Sequence, residues 1–164
     1  TLGLTPVKIF HKGYYNHMEE SHELLVSYGN EKIWDVLAKN PRNRVVVFGE
    51  QPEMLRFPCS TQSYTDIEGS GGNFNLSSSP EALAEFFTFA GVDHIYLGSG
   101  YLKPGTDGFR NVTGLLKQGY LSDLLYENGN GLAVFSPEPR ELSAEESEAL
   151  LAEFTEKYWP GEQQ

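Results

Sequence analysis

The chain of 164 residues carries 12 basic and 23 acidic residues, a net charge of −11. That balance argues against nucleic acid and against anionic lipid headgroups as partners, since both need a basic footprint. Hydrophobic residues at 39% and aromatics at 13% are enough for one domain with a real core.

The single cysteine, Cys59, leaves no internal disulfide. No stretch approaches the ~18 apolar residues of a membrane span, and no signal-peptide pattern is present. Thr1 in place of an initiating Met predicts a processed or excised piece.

Residues 1–15 mix apolar and aromatic side chains and read as an extended N-terminal segment. Two helices are predicted over 16–39. Asn16 caps the first, with Glu19 completing a capping box, and Gly29 closes it. Asn30 caps the second, which presents Ile33, Trp34 and Leu37 on one face and stops before Pro41.

The most apolar run is Arg44-Val45-Val46-Val47-Phe48-Gly49, which reads as a buried strand covered on both faces. The prolines in 52–59 are compatible with a short helical turn or a short edge strand. Residues 60–79 show no clear period and read as a long functional or mobile loop.

Ser79-Pro80-Glu81 starts a helix with Leu83, Phe86, Phe87 and Ala90 on one face and Gly91 at its end. A second strand follows at 92–97. A glycine-rich loop (98–108) leads into a helix from about 109 to 118. Asn128-Gly129 between 121–126 and 131–135 signals a β-hairpin. Ser143-Ala144-Glu145-Glu146 opens a last helix over 143–158.

Two helix-then-strand units predict one α/β domain spanning 1–164, with its sheet-forming core over 44–136. The expected class is a three-layer Rossmann-like sandwich. Strands 44–48 and 92–97 should be parallel and adjacent, joined through the helix at 80–90, with the hairpin adding an antiparallel end.

Catalytic signals are weak. His11, His17 and His22 lack the i, i+4 spacing of a helical zinc site and read as an exposed polar face. His94 reads as a core or cross-strand residue. Gly69-Ser70-Gly71-Gly72 neither follows a strand nor opens a helix, as a nucleotide loop must. No G-x-S-x-G elbow is present, and Cys59 has no neighbouring histidine to activate it. No cofactor or metal is expected, and the isolated chain is expected to lack glycosyl-transfer and hydrolytic activity. Asn75 and Asn111 head glycosylation sequons, a short motif that carries little weight. The candidate ligand-binding residues are Tyr64, Asp66 and Asn73 in the 62–75 loop and Tyr101 in the 98–105 loop. Carboxamides and carboxylates hydrogen-bond sugar hydroxyls, and a tyrosine ring stacks on a sugar face. The competing reading is that Tyr64 packs on the sheet and Asp66 caps the turn.

The order of the pieces carries a resemblance. A helix with Ile33-Trp34 and Leu37 precedes Asn40-Pro41-Arg42-Asn43-Arg44-Val45-Val46-Val47-Phe48-Gly49. After Tyr64-Thr65-Asp66 comes a helix into Ala90-Gly91-Val92-Asp93-His94-Ile95-Tyr96-Leu97. Then follow Leu116-Lys117-Gln118-Gly119-Tyr120 and Gly131-Leu132-Ala133-Val134-Phe135. Over roughly residues 30–136 this resembles the C-terminal soluble domain of polytopic bacterial membrane glycosyltransferases of the protein-mannosyltransferase and aminoarabinose-transferase type, which use polyprenyl-phosphate sugars.

The resemblance implies an extracytoplasmic location, on the periplasmic or outer face of the membrane. It implies a transmembrane part of the same polypeptide upstream, and contact with a glycan or lipid-linked sugar. The family's catalytic acid lies near its first membrane helices, a region absent here, so no catalytic residue is carried over. The alternatives are a free-standing α/β enzyme or binding protein for a small polar ligand, and an interaction module with no small ligand.

Overall fold

The structure, a computed structural model, describes residues 29–49, 52–69 and 76–158. The extended segment at 1–15, the helix expected from Asn16, the histidines of that region, Asn73 and Asn75 lie outside the described residues. The elements are α1 (Glu31–Ala38), β1 (Arg44–Phe48), α2 (Pro52–Leu55), β2 (Ser60–Ser63), α3 (Tyr64–Gly69), α4 (Pro80–Ala90), β3 (His94–Leu97), α5 (Asp107–Lys117), β4 (Leu121–Glu127), β5 (Asn130–Phe135) and α6 (Ala144–Tyr158).

The five strands form one mixed sheet in the order β2-β1-β3-β5-β4. β1 pairs in parallel with β2 on one side and with β3 on the other. β5 runs antiparallel to both β3 and β4. The expected parallel pairing of the two apolar strands is therefore present, with Val46 opposite Ile95. The antiparallel end supplied by the hairpin is present as well.

β1 is buried from Val45 to Phe48, as its unbroken apolar run requires. Its alternate residues serve two clusters. Val46 and Phe48 join Ile95, Leu97, Ala133 and Phe135 beneath Leu83 and Phe87 of α4, Leu115 of α5 and Phe154 of α6. Val45 and Val47 join Tyr96 and Leu132 against Ile33 and Leu37 of α1, with Leu55 of α2 packed alongside.

Local chemistry explains most boundaries. The Ser79 hydroxyl accepts from the Ala82 amide, Pro80 occupies the first turn of α4, and Gly91 closes the helix at φ +67°. Ser143 and Glu146 cap α6 reciprocally, at 3.1 and 2.8 Å. Asn128 and Gly129 both take positive φ, 51° and 79°, as the two-residue hairpin turn demands.

Four expectations are corrected. The 60–79 stretch is not all loop: β2 and α3 occupy 60–69. β2 reads Ser-Thr-Gln-Ser, a polar edge strand with no alternation, so only its pairing with β1 reveals it. α5 starts at Asp107, two residues early, because Thr106 caps it by accepting from the Phe109 amide at 3.3 Å. β3 starts at His94 rather than Val92; the Asp93 carboxylate takes the Arg44 amide at 2.8 Å, where a ladder carbonyl would otherwise accept.

The fourth correction concerns Asn30, whose side chain makes no cap on α1. Both carboxylate oxygens of Glu127 accept from the Lys32 amide at 3.0 Å instead, and one also accepts from Ile33 at 3.3 Å. Asn30 is thereby released for another use.

Candidate functional site

β1 and β3 end side by side at Phe48 and Leu97, where the Gly98 amide donates to the Phe48 carbonyl at 2.8 Å. From there the two chains part. β1 leads to α2, whose Leu55 packs on the Val45 and Val47 face. β3 leads to α5, whose Val112 and Leu115 pack on the opposite face. Diverging connections at the carboxyl ends of adjacent parallel strands leave a crevice, the usual ligand position in open α/β sheets.

A cavity of about 360 Å³ fills this position. Val47, Leu55, Tyr96, Ser99 and Tyr101 line it, with Gly49, Gly98 and Gly100 between them. A second cavity, of about 420 Å³, is lined by Tyr64, Glu68, Tyr101, Leu102, Lys103 and Thr106, among others. Tyr101 borders both.

The candidate residues fare differently. The half-buried Tyr101 has its hydroxyl 2.8 Å from the Thr65 hydroxyl, which ties the 98–105 loop to the start of α3. Tyr64 lines the second cavity but is only 1% exposed. Its ring stacks on Phe48 at 4.3 Å, and its hydroxyl accepts from Asn111 Nδ2 at 3.1 Å. Burial pushes its pKa up, against the Asn111 hydrogen bond. Asp66 is exposed in the first turn of α3. Asn73 falls outside the described residues. Asn111 of the second sequon is fully buried, and its amide donates to Tyr64 and to the Ser77 carbonyl at 2.8 Å, so it offers no glycan acceptor in the folded chain.

The crevice also uses residues that sequence reasoning missed. The Ser99 amide donates to Asn130 Oδ1 at 2.8 Å. Asn130 Nδ2 donates to Asn30 Oδ1 at 2.8 Å, and Asn30 Nδ2 donates to the Tyr96 hydroxyl oxygen at 2.9 Å. Asn30, Asn130 and Tyr96 are all buried. On the other side of the loop, the Tyr158 hydroxyl of α6 donates to the Gly98 carbonyl and accepts from the Leu102 amide at 3.5 Å. In the sequence, Asn30 reads as a cap, Asn130 as a turn residue and Tyr158 as part of an apolar helix face. Only a polar residue at an element boundary hints at a second role.

Burial pushes the Tyr96 and Tyr158 hydroxyls up to about 12, so both stay neutral hydrogen-bonding groups rather than bases. Burial, helped by the Asp93 charge, raises the Cys59 thiol to about 11, which makes it a poor nucleophile. Among the described residues no group of three His, Cys, Asp or Glu side chains is placed to hold a metal ion. The crevice offers hydroxyls, backbone amides, ring edges and an apolar floor. That set suits recognition of a small polar molecule.

Comparison with protein-family models, with curated proteins and with solved structures finds no match to this chain.

Proposed function

We propose that the chain is a non-catalytic extracytoplasmic domain of a polytopic membrane glycosyltransferase that uses a polyprenyl-phosphate sugar. In this reading the domain recognises a glycan or lipid-linked sugar at the carboxyl edge of β1 and β3. The transmembrane part of the same polypeptide is its main partner. The frame is a three-layer Rossmann-like sandwich, a reading supported by apolar clusters on both faces of β1.

The observation that carries the ligand site is the 2.8 Å contact between Thr65 and Tyr101. It joins the 98–105 loop to the first turn of α3, at the edge where open α/β sheets bind ligands. The order of pieces over residues 30–136 supports the family reading. No helix among the described residues is long and apolar enough to cross a membrane, so any span lies outside them.

The test is an amide chemical-shift titration of the labelled chain with mono- and oligosaccharides. Shifts centred on 49, 98–101 and 65, with affinity on the order of millimolar, are expected for a shallow polar site. No shift at high sugar concentration removes the ligand reading. A free-standing binding protein for a small polar ligand shares the same crevice. The upstream gene separates the two: roughly eight or more apolar spans of ~20 residues favour the membrane enzyme.

A further inference from the structure

The chain of bonds from Ser99 to Tyr96 runs in one direction, and that direction is forced. The Ser99 backbone amide can only donate, so the atom of Asn130 that meets it must be the carbonyl oxygen. Asn130 therefore turns its NH₂ toward Asn30, which must meet it with oxygen. Asn30 is left with its NH₂ toward Tyr96, so the Tyr96 oxygen accepts. One donor-only group thus settles both carboxamide orientations, which electron density alone rarely does.

The Tyr96 proton must then point elsewhere. Among the described residues no acceptor for it is recorded, whereas Tyr96 lines the cavity between β1 and β3. Three successive amide donors behind the hydroxyl polarise it further as a donor. Among the described residues the cavity lining bears no charged side chain: Val47, Leu55, Ser99 and Tyr101 supply apolar surface and hydroxyls, the rest is glycine, and the Glu127 carboxylate acts on the Tyr96 hydroxyl from outside that lining. Lys103 and Glu68 belong to the second cavity, beyond Tyr101. The chain as a whole carries −11.

We infer that this cavity takes a neutral, hydroxyl-bearing ring, a single unphosphorylated sugar unit, and that the Tyr96 hydroxyl donates to one of its oxygens. The inference rests on the sugar reading above. A phosphate or carboxylate finds no cation among the described lining residues and meets the repulsive field of a chain of net charge −11. An ammonium group cannot accept from Tyr96. A volume of about 360 Å³ lies near the low end of ligand pockets (~300–1,000 Å³), which suits one or two rings rather than a long chain. On a lipid-linked donor, the domain would hold the sugar and leave the phosphate outside.

The experiment titrates the labelled chain with methyl mannoside, methyl glucoside and methyl galactoside, and with the corresponding hexose 6-phosphates. Wild type, Tyr96→Phe and Asn30→Asp are compared. Asn30→Asp presents two acceptor oxygens, so it takes the Tyr96 proton inward and withdraws it from the cavity. The expected result is binding of a neutral glycoside at Gly49, Gly98 and Ser99, at least fivefold weaker binding of its phosphate, and at least fivefold loss in both variants. The phosphate comparison needs no variant and so survives a failure of either to fold. Phosphate bound as tightly as the neutral sugar overturns the inferred ligand class. Neutral sugar bound within twofold of wild type by well-folded variants overturns the role of Tyr96, while the sugar reading stands. No shift with any sugar removes both.

Discussion

Glu127, at the end of β4, caps α1, both of its carboxylate oxygens accepting at 3.0 Å from the amide of Lys32, 95 residues earlier. Asn128 adds a bond from its side-chain amide to the Gly29 carbonyl at 3.0 Å. The hairpin turn is thereby fastened to the first turn of α1, beside Asn30. Replacing a helix cap with alanine costs about 1 kcal/mol. Glu127→Ala should lose about that much, and Glu127→Gln less, because it keeps an acceptor oxygen but not the charge at the positive end of the helix. Thermal unfolding measures the loss, and faster hydrogen exchange at Lys32 and Ile33 locates it. Unchanged exchange there contradicts the capping role.

Tyr158 fixes the loop that forms one wall of the crevice. Tyr158→Phe keeps the ring, which stacks on Phe154 at 5.1 Å, and removes the bonds to Gly98 and Leu102. A buried hydrogen bond lost in this way costs about 1–2 kcal/mol. Exchange at Leu102 should rise, and sugar affinity should fall through disorder of the 98–102 segment rather than through a lost contact. A variant with the wild-type exchange rate at Leu102 rules out that positioning role.

Gly114 sets the approach of α5 to α4. A Cβ there would lie 2.3 Å from Cγ of Pro80, whose ring is held in the first turn of α4. Gly114→Ala gains about 1 kcal/mol in helix propensity and meets an overpacking cost of about 1–3 kcal/mol. With neither helix free to move away from the shared core, the cost should win. The urea midpoint should therefore drop, and a rise would show that the two helices can slide apart.

His94 makes stability depend on pH. Burial holds its pKa below the ordinary 6.5, against the pull of Asp93 and Asp123, and its Nδ1 is buried with no hydrogen-bond partner among the described residues. The unfolded chain takes up a proton near pH 6.5 that the folded chain resists. The contribution is therefore complete above about pH 6.5 and declines as pH falls through the window down to the folded value. Urea midpoints between about pH 5.5 and 7.5 should slope less in His94→Gln than in wild type. That comparison cancels the other histidines, His11, His17 and His22. Equal slopes would mean that His94 titrates as an exposed group.

Several features of this protein were legible in the sequence because they depend on neighbours within a turn or two. Val45 to Phe48 had to be a buried strand, Ser79-Pro80 had to start a helix, and Asn128-Gly129 had to turn a hairpin. Each signal is a local φ preference, a cap or a hydrophobic period. The glycine-rich loop after Leu97 was legible too, whereas the first candidate stretch read as loop where β2 and α3 stand. What only the tertiary structure decided is which side chains meet across the sheet. β2 has no periodic trace and exists because β1 offers it a ladder. Tyr64 and Tyr101 look alike in the sequence, yet one stacks on Phe48 and the other stands at the crevice. Asn30 reads as a cap until Glu127 takes that role and leaves it for Tyr96 and Asn130, 66 and 100 residues away. Such partnerships follow from strand order and from competition between distant groups for one set of amides. No short-range pattern in a single chain records them.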